Sequence, residues 1–156
     1  METIVRTLAE LETEACRFVD GLAPSPRGAT LVTLSGELGA GKTAFTKAVA
    51  KALGVTDMVT SPTFVLEKIY QLPECGHPVS TEGHRMSTFK RLVHIDAYRL
   101  ESGKDLATLG FDELIQNSDN LIMLEWPEIV ADALPAPSIR ISIVANPDGS
   151  RTISYV

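Results

Sequence analysis

The chain has 156 residues, 44% of them hydrophobic and 22% charged, and a formal net charge of −6. That length suits one domain, residues 1–156, with a core of useful size. The acidic balance argues against a stand-alone nucleic-acid binder built on a basic patch, while leaving room for contact with RNA through a partner.

The opening stretch METIVRTLAELETEACRF has too many acids and too short an apolar run for a signal peptide. No segment approaches the roughly 18 apolar residues of a membrane span. A soluble cytoplasmic protein is expected. Cys16 and Cys75 are too few and too far apart for a disulfide framework or a zinc site.

In chain order, Thr7 and Glu10 fit a capping box, and Leu8, Leu11, Ala15, Phe18, Val19 and Leu22 recur at helical spacing. ATLVTLS follows the APSPRG loop as a β-branched strand. KTAFTKAVAKAL then carries Phe45, Val49, Ala52 and Leu53 on one helical face, with Gly54 placed to close it. TFVLEKIYQL reads as a second strand, and Pro73 to Thr88 as an exposed, Gly- and Pro-rich loop. KRLVHIDAYR reads as a third strand, with His94, Asp96 and Tyr98 on one face and Val93, Ile95 and Ala97 on the other.

Ser102 and Asp105 are placed to cap a helix over GKDLATLG, and a further helix is expected around FDELIQN. NLIMLEW is the continuous apolar run of a strand buried on both faces, and Pro127 disfavours α geometry at Trp126, so the strand should end there. SIRISIVAN and RTISYV, joined by PDGS, read as a hairpin. The pattern predicts a three-layer α/β fold: a central, mostly parallel sheet flanked by helices, with a C-terminal antiparallel hairpin.

GELGAGKT matches the phosphate-loop pattern through Gly36, Gly41, Lys42 and Thr43, between a strand and a helix. Gly36, Gly39 and Gly41 let successive N–H groups point at phosphate oxygens, and the positive end of the following helix adds to that field. Lys42 can reach the β- and γ-phosphates, and the Thr43 hydroxyl can ligate Mg²⁺. Such sites need a carboxylate near the metal at a strand's carboxyl end, where ligands of open α/β sheets bind. Glu125 ends the apolar run LIML and fits, directly or through water; an ordinary solvent-facing strand-end Glu is the alternative.

Asp96 is a second carboxylate, able to hold water on the metal or to position the attacking water. His94 reads as a satisfied core or surface histidine more readily than as a catalyst, with support of the metal-site carboxylates as a further role. Tyr98 and Arg99 either touch nucleotide or pack and pair on the surface. In TSPTF, Ser61 or Thr63 stands where small GTPases place a metal- and γ-phosphate-sensing threonine; a plain turn before a strand is the alternative.

The blocks GELGAGKTAF, SPTF, HIDAYRL and LEWPE, in this order and spacing, resemble the TsaE (YjeE) family of small bacterial ATPases, from about Gly36 to Pro127. The resemblance implies a role in making threonylcarbamoyladenosine (t6A), beside the anticodon of tRNAs that read codons beginning with A. It implies action with the proteins TsaB and TsaD and contact with tRNA only through that complex; apart from the resemblance, a monomer is expected, with self-association left open. The resemblance implies ATP or ADP held by Lys42 and by the backbone amides of Glu37, Leu38, Gly39, Ala40, Gly41, Lys42, Thr43 and Ala44. It further implies Mg²⁺ on Thr43 and Glu125, hydrolysis dependent on Asp96 and Lys42, Trp126 beside the nucleotide, and Ser61 and Thr63 in a switch-like loop. Pro73 to Thr88 departs from the family as an insertion; its His77, His84 and Cys75 match no standard zinc spacing.

Two other classes share these motifs. A P-loop small-molecule kinase would need an arginine-rich lid, and Arg85 and Arg91 form no clear cluster. A nucleotide-gated interaction module would bind partners with little turnover. A GTP switch lacks its base-recognition block, since QNSD is no N-K-x-D.

Overall fold

The computed structural model describes residues 1–57, 59–60, 65–73 and 89–156. Its order is β1 (Glu2–Val5), α1 (Leu8–Asp20), β2 (Thr30–Ser35), α2 (Lys42–Ala52), β3 (Glu67–Gln71), β4 (Arg91–Asp96), α3 (Phe111–Gln116), β5 (Asn120–Glu125), β6 (Ile139–Ala145) and β7 (Arg151–Tyr155). Short 3₁₀ turns cover Ala97–Arg99, Gly103–Leu109 and Pro127–Val130.

The seven strands form one sheet in the order β1-β7-β6-β2-β5-β4-β3. Its centre is parallel: β6 with β2, β2 with β5, and β5 with β4. Antiparallel pairs finish both sides, with β3 on β4 and the β6–β7 hairpin extended by β1. β5 is buried at every residue, as its unbroken apolar run requires between two packed faces.

One face packs against α1 and α2, where Phe18, Phe45 and Val49 meet Leu34, Leu92, Leu121, Met123 and Ile143. The other is covered by α3 and the 3₁₀ turns, through Leu106, Phe111 and Val130 against Val93, Ile95, Ile122 and Leu124. The three layers therefore form as the periodicity predicts, though the second outer layer is thin.

Local sequence explains the element ends. The Thr7 hydroxyl accepts the Glu10 N–H at 3.1 Å, and the Glu10 carboxylate accepts the Arg6 N–H at 2.6 Å, fixing the start of α1. The Asp105 carboxylate accepts the N–H groups of Glu101 and Ser102, although the segment it starts is 3₁₀ rather than α.

Two expectations change. β1 has no counterpart among the strands expected from the sequence, because a four-residue edge strand with one buried residue leaves almost no alternation to detect. Tyr98 does not share a strand face with His94 and Asp96. The Asp96 side chain accepts the Tyr98 N–H at 3.0 Å, ending β4 at Asp96 and turning Tyr98 into a 3₁₀ turn.

Candidate active site

The loop between β2 and α2 curls over the carboxyl end of β2. Gly36 has φ 146°, and a Cβ there would stand 2.3 Å from the Ile143 carbonyl oxygen of β6, so only glycine lets the loop leave the sheet at this point. Gly41 caps α2 at φ 113°, in the left-handed region.

Beneath the loop lies a cavity of ≈ 300 Å³, lined by Leu38, Gly39, Gly41, Lys42, Thr43 and Ala44 and, from the strand ends, by Asp96, Tyr98, Glu125 and Trp126. The parallel register sets Asp96 of β4 opposite Glu125 of β5. The distant blocks of sequence thus meet where the parallel strands end.

Lys42 is only 4% exposed. Its Nζ donates to the carbonyls of Gly36 at 2.6 Å and Glu37 at 2.9 Å, and lies 3.9 Å from the centre of the Trp126 ring. Burial pushes its ammonium below the ordinary lysine value, against the opposing pull of Glu125, Glu128, Asp96 and Glu37. An entering phosphate relieves that imbalance, because it brings negative charge to a cation held largely on carbonyls and a ring face.

The Thr43 hydroxyl donates to Glu125, 2.9 Å from Oε1 and 3.1 Å from Oε2. From the other side, His94 Nε2 lies 2.7 Å from the same Oε1, with both side chains buried. Asp96 is 4% exposed and reaches the cavity wall beside them.

Among the described residues, no group of three or more His, Cys, Asp or Glu side chains is arranged to hold a metal. The donor set at Thr43 and Glu125 is hydroxyl and carboxylate oxygen. It suits a hard cation that takes few protein ligands and completes its shell with water and phosphate, as Mg²⁺ does.

Trp126 has φ 61° and ψ 51°, left-handed geometry that a bulky residue rarely adopts. Pro127 disfavours the ordinary helical alternative, and the turn swings the indole over Lys42 and against the Tyr98 ring, with centroids 5.0 Å apart. Lys42, Thr43, Asp96, Glu125 and Trp126 are therefore together, with Glu37 to Ala44 forming the loop above. Met58, Ser61, Thr63 and residues 74–88, including Cys75, His77, His84 and Arg85, lie outside the described residues.

Three contributions were not legible in the sequence. Glu128 adds a charge that Lys42 feels. The firm contact of His94 with Glu125 follows only from strand pairing. Arg151 of β7 donates from Nε to the Ala40 carbonyl at 3.1 Å and from Nη1 to Gly149 and Ser150, tying the hairpin to the phosphate loop. No local signal marks it, because the contact spans 111 residues.

The chain is similar to known proteins along most of its length. A family model described as "Threonylcarbamoyl adenosine biosynthesis protein TsaE" matches residues 6–153. Proteins named tRNA threonylcarbamoyladenosine biosynthesis protein TsaE are similar in sequence. The one from Streptomyces coelicolor is 41% identical over 123 residues, 78% of this chain and 73% of the relative. The one from Bacillus subtilis is 33% identical over 153 residues, covering 96% and 82%. Among solved structures, a crystal structure of Bacillus subtilis YdiB superposes with a TM-score of 0.69 at 25% identity, covering 99% of this chain and 83% of that one.

Proposed function

The chain belongs to the TsaE family, P-loop nucleotide-binding proteins of t6A biosynthesis, and from that membership we propose that it is the ATP-hydrolysing subunit of the pathway. The observation that carries the reading is the Thr43–Glu125 contact, with Asp96 in register beside it, under a phosphate loop.

In this reading Lys42 and the amides of Glu37 to Ala44 bind the phosphates. Thr43 and Glu125 would hold Mg²⁺, which when bound would supply positive charge to the phosphate oxygens. Asp96 orients a water at the γ-phosphate; the water oxygen forms the new P–O bond, the bond to ADP breaks, and the water's proton passes to the Asp96 carboxylate. Trp126 flanks the nucleotide. Ser61 and Thr63 act as a switch on the strength of their position in the chain alone.

The partners are the TsaB and TsaD proteins, with tRNA reached through them, in the cytoplasm. Among the described residues no helix is long and apolar enough to cross a membrane. The test is ATP turnover by the purified chain with and without TsaB and TsaD, run first without and then with added small-molecule acceptors. Stimulation by the complex is expected. No stimulation and no association would overturn the partner assignment, and strict dependence on an added acceptor would favour a kinase.

A further inference from the structure

The buried pair of His94 and Glu125 lies beyond what the nucleotide site itself requires. His94 is 0% exposed and Glu125 2%. Glu125 Oε1 accepts from the Thr43 hydroxyl, and the 2.7 Å contact makes His94 Nε2 a second donor to the same oxygen. His94 Nδ1 is buried and has no hydrogen-bond partner among the described residues. A buried polar atom left unpaired costs stability, so a histidine kept only for packing is a poor solution here.

The hydrogen bonds on Glu125 are also uneven. Among the described residues, Oε1 accepts from both His94 and Thr43, whereas Oε2 accepts from Thr43 alone, at 3.1 Å. A carboxylate held through one oxygen cannot rotate freely about its last bond. Its second oxygen and the hydroxyl it orients are then presented together.

We propose that His94 is a positioning residue of the nucleotide–metal site: it clamps Glu125 through Oε1 so that Oε2 and the Thr43 hydroxyl face a divalent cation together. His94 touches neither cation nor nucleotide. Contacts of this kind behind a ligand change metal affinity by about 10- to 100-fold when removed. The inference rests on the metal site proposed above.

The side-chain lengths supply the test. A glutamine at 94 can carry its amide N–H out to about the position of Nε2; an asparagine reaches only as far as Nδ1. Mn²⁺ binding in the presence of ADP, titrated by electron paramagnetic resonance on the full chain, is compared among wild type, His94→Gln and His94→Asn. ADP affinity in excess chelator and the melting temperature are measured alongside.

Gln should stay within about threefold of wild type, and Asn should bind Mn²⁺ about tenfold or more weakly with metal-free ADP affinity unchanged. Equal Mn²⁺ affinities for Gln and Asn, retained or lost, would overturn the clamp. So would an Asn variant whose metal-free ADP binding falls as far as its metal binding, since that marks a structural role. Failure of the wild type to bind Mn²⁺ with ADP would overturn the metal site, and this inference with it.

Discussion

The two halves of the sheet use buried polar groups differently. At the carboxyl ends of β2, β5 and β4, four titratable side chains, Lys42, His94, Asp96 and Glu125, are buried within one neighbourhood. In the β1-β7-β6 half the buried acid is Glu14 of α1, which accepts the Tyr155 hydroxyl at 2.8 Å and lies 3.7 Å from Arg17. Tyr155 also stacks on Phe18, ring centroids 5.9 Å apart, so this contact pins α1 to β7. The first cluster has an ammonium held against its charge preference and, among the described residues, a histidine nitrogen left unpaired; in the second, the hydroxyl and the carboxylate satisfy each other. Concentrated polar burial marks the half built for a ligand, and an isolated satisfied pair marks the half built for stability.

Four substitutions probe that division. Lys42→Ala should weaken ADP binding by about 100-fold or more, since charge-assisted hydrogen bonds to phosphate contribute roughly 1.5–3 kcal/mol each. The melting temperature should hold, and calorimetric titration reads both sides of the claim. Gly36→Ala attacks the seam between the halves by driving a methyl group into the Ile143 carbonyl. It should cost on the order of 1–3 kcal/mol in urea unfolding and disturb nucleotide binding as well.

Tyr155→Phe leaves Glu14 without its hydroxyl donor and should cost about 1–2 kcal/mol while ADP affinity stays unchanged. A fall in ADP affinity would mean the halves are coupled. Burial, with the neighbouring Glu14, raises the Tyr155 hydroxyl above the usual 10.0. A folded value above the unfolded one contributes stability that is complete below about pH 10 and lost as pH rises further. Unfolding free energy measured from pH 9 upward should therefore fall more steeply in wild type than in the Phe variant.

Trp126→Leu should be mildest. Losing the ring that faces Lys42 removes about 0.5–1 kcal/mol, a change of a few-fold in ADP affinity.

Much of the ligand half is legible in the sequence. The phosphate loop is local, so eight consecutive residues carry its geometry. Glu125 can be placed because a buried parallel strand reads as an unbroken apolar run with a polar end. Asp96 can be assigned once the alternation of β4 is joined to the rule that ligands sit at strand ends. The face breaks down at Tyr98 because the Asp96 side chain captures the next turn's N–H, a local competition that periodicity ignores. The contacts of His94 with Glu125 and of Arg151 with Ala40 depend on which strands become neighbours. Residue patterns along one chain do not encode that order directly. β1 escapes detection for a simpler reason: its four residues contribute one core side chain, Val5.

The measurement closest to the central claim sets hydrolysis against binding in Asp96→Ala. If the strand ends of β4 and β5 carry the chemistry, ADP affinity should stay within a few-fold of wild type. Mg²⁺-dependent ATP turnover with the TsaB–TsaD complex should fall by about 10²- to 10⁴-fold. Turnover that survives the substitution, or ADP binding that disappears with it, would contradict the account.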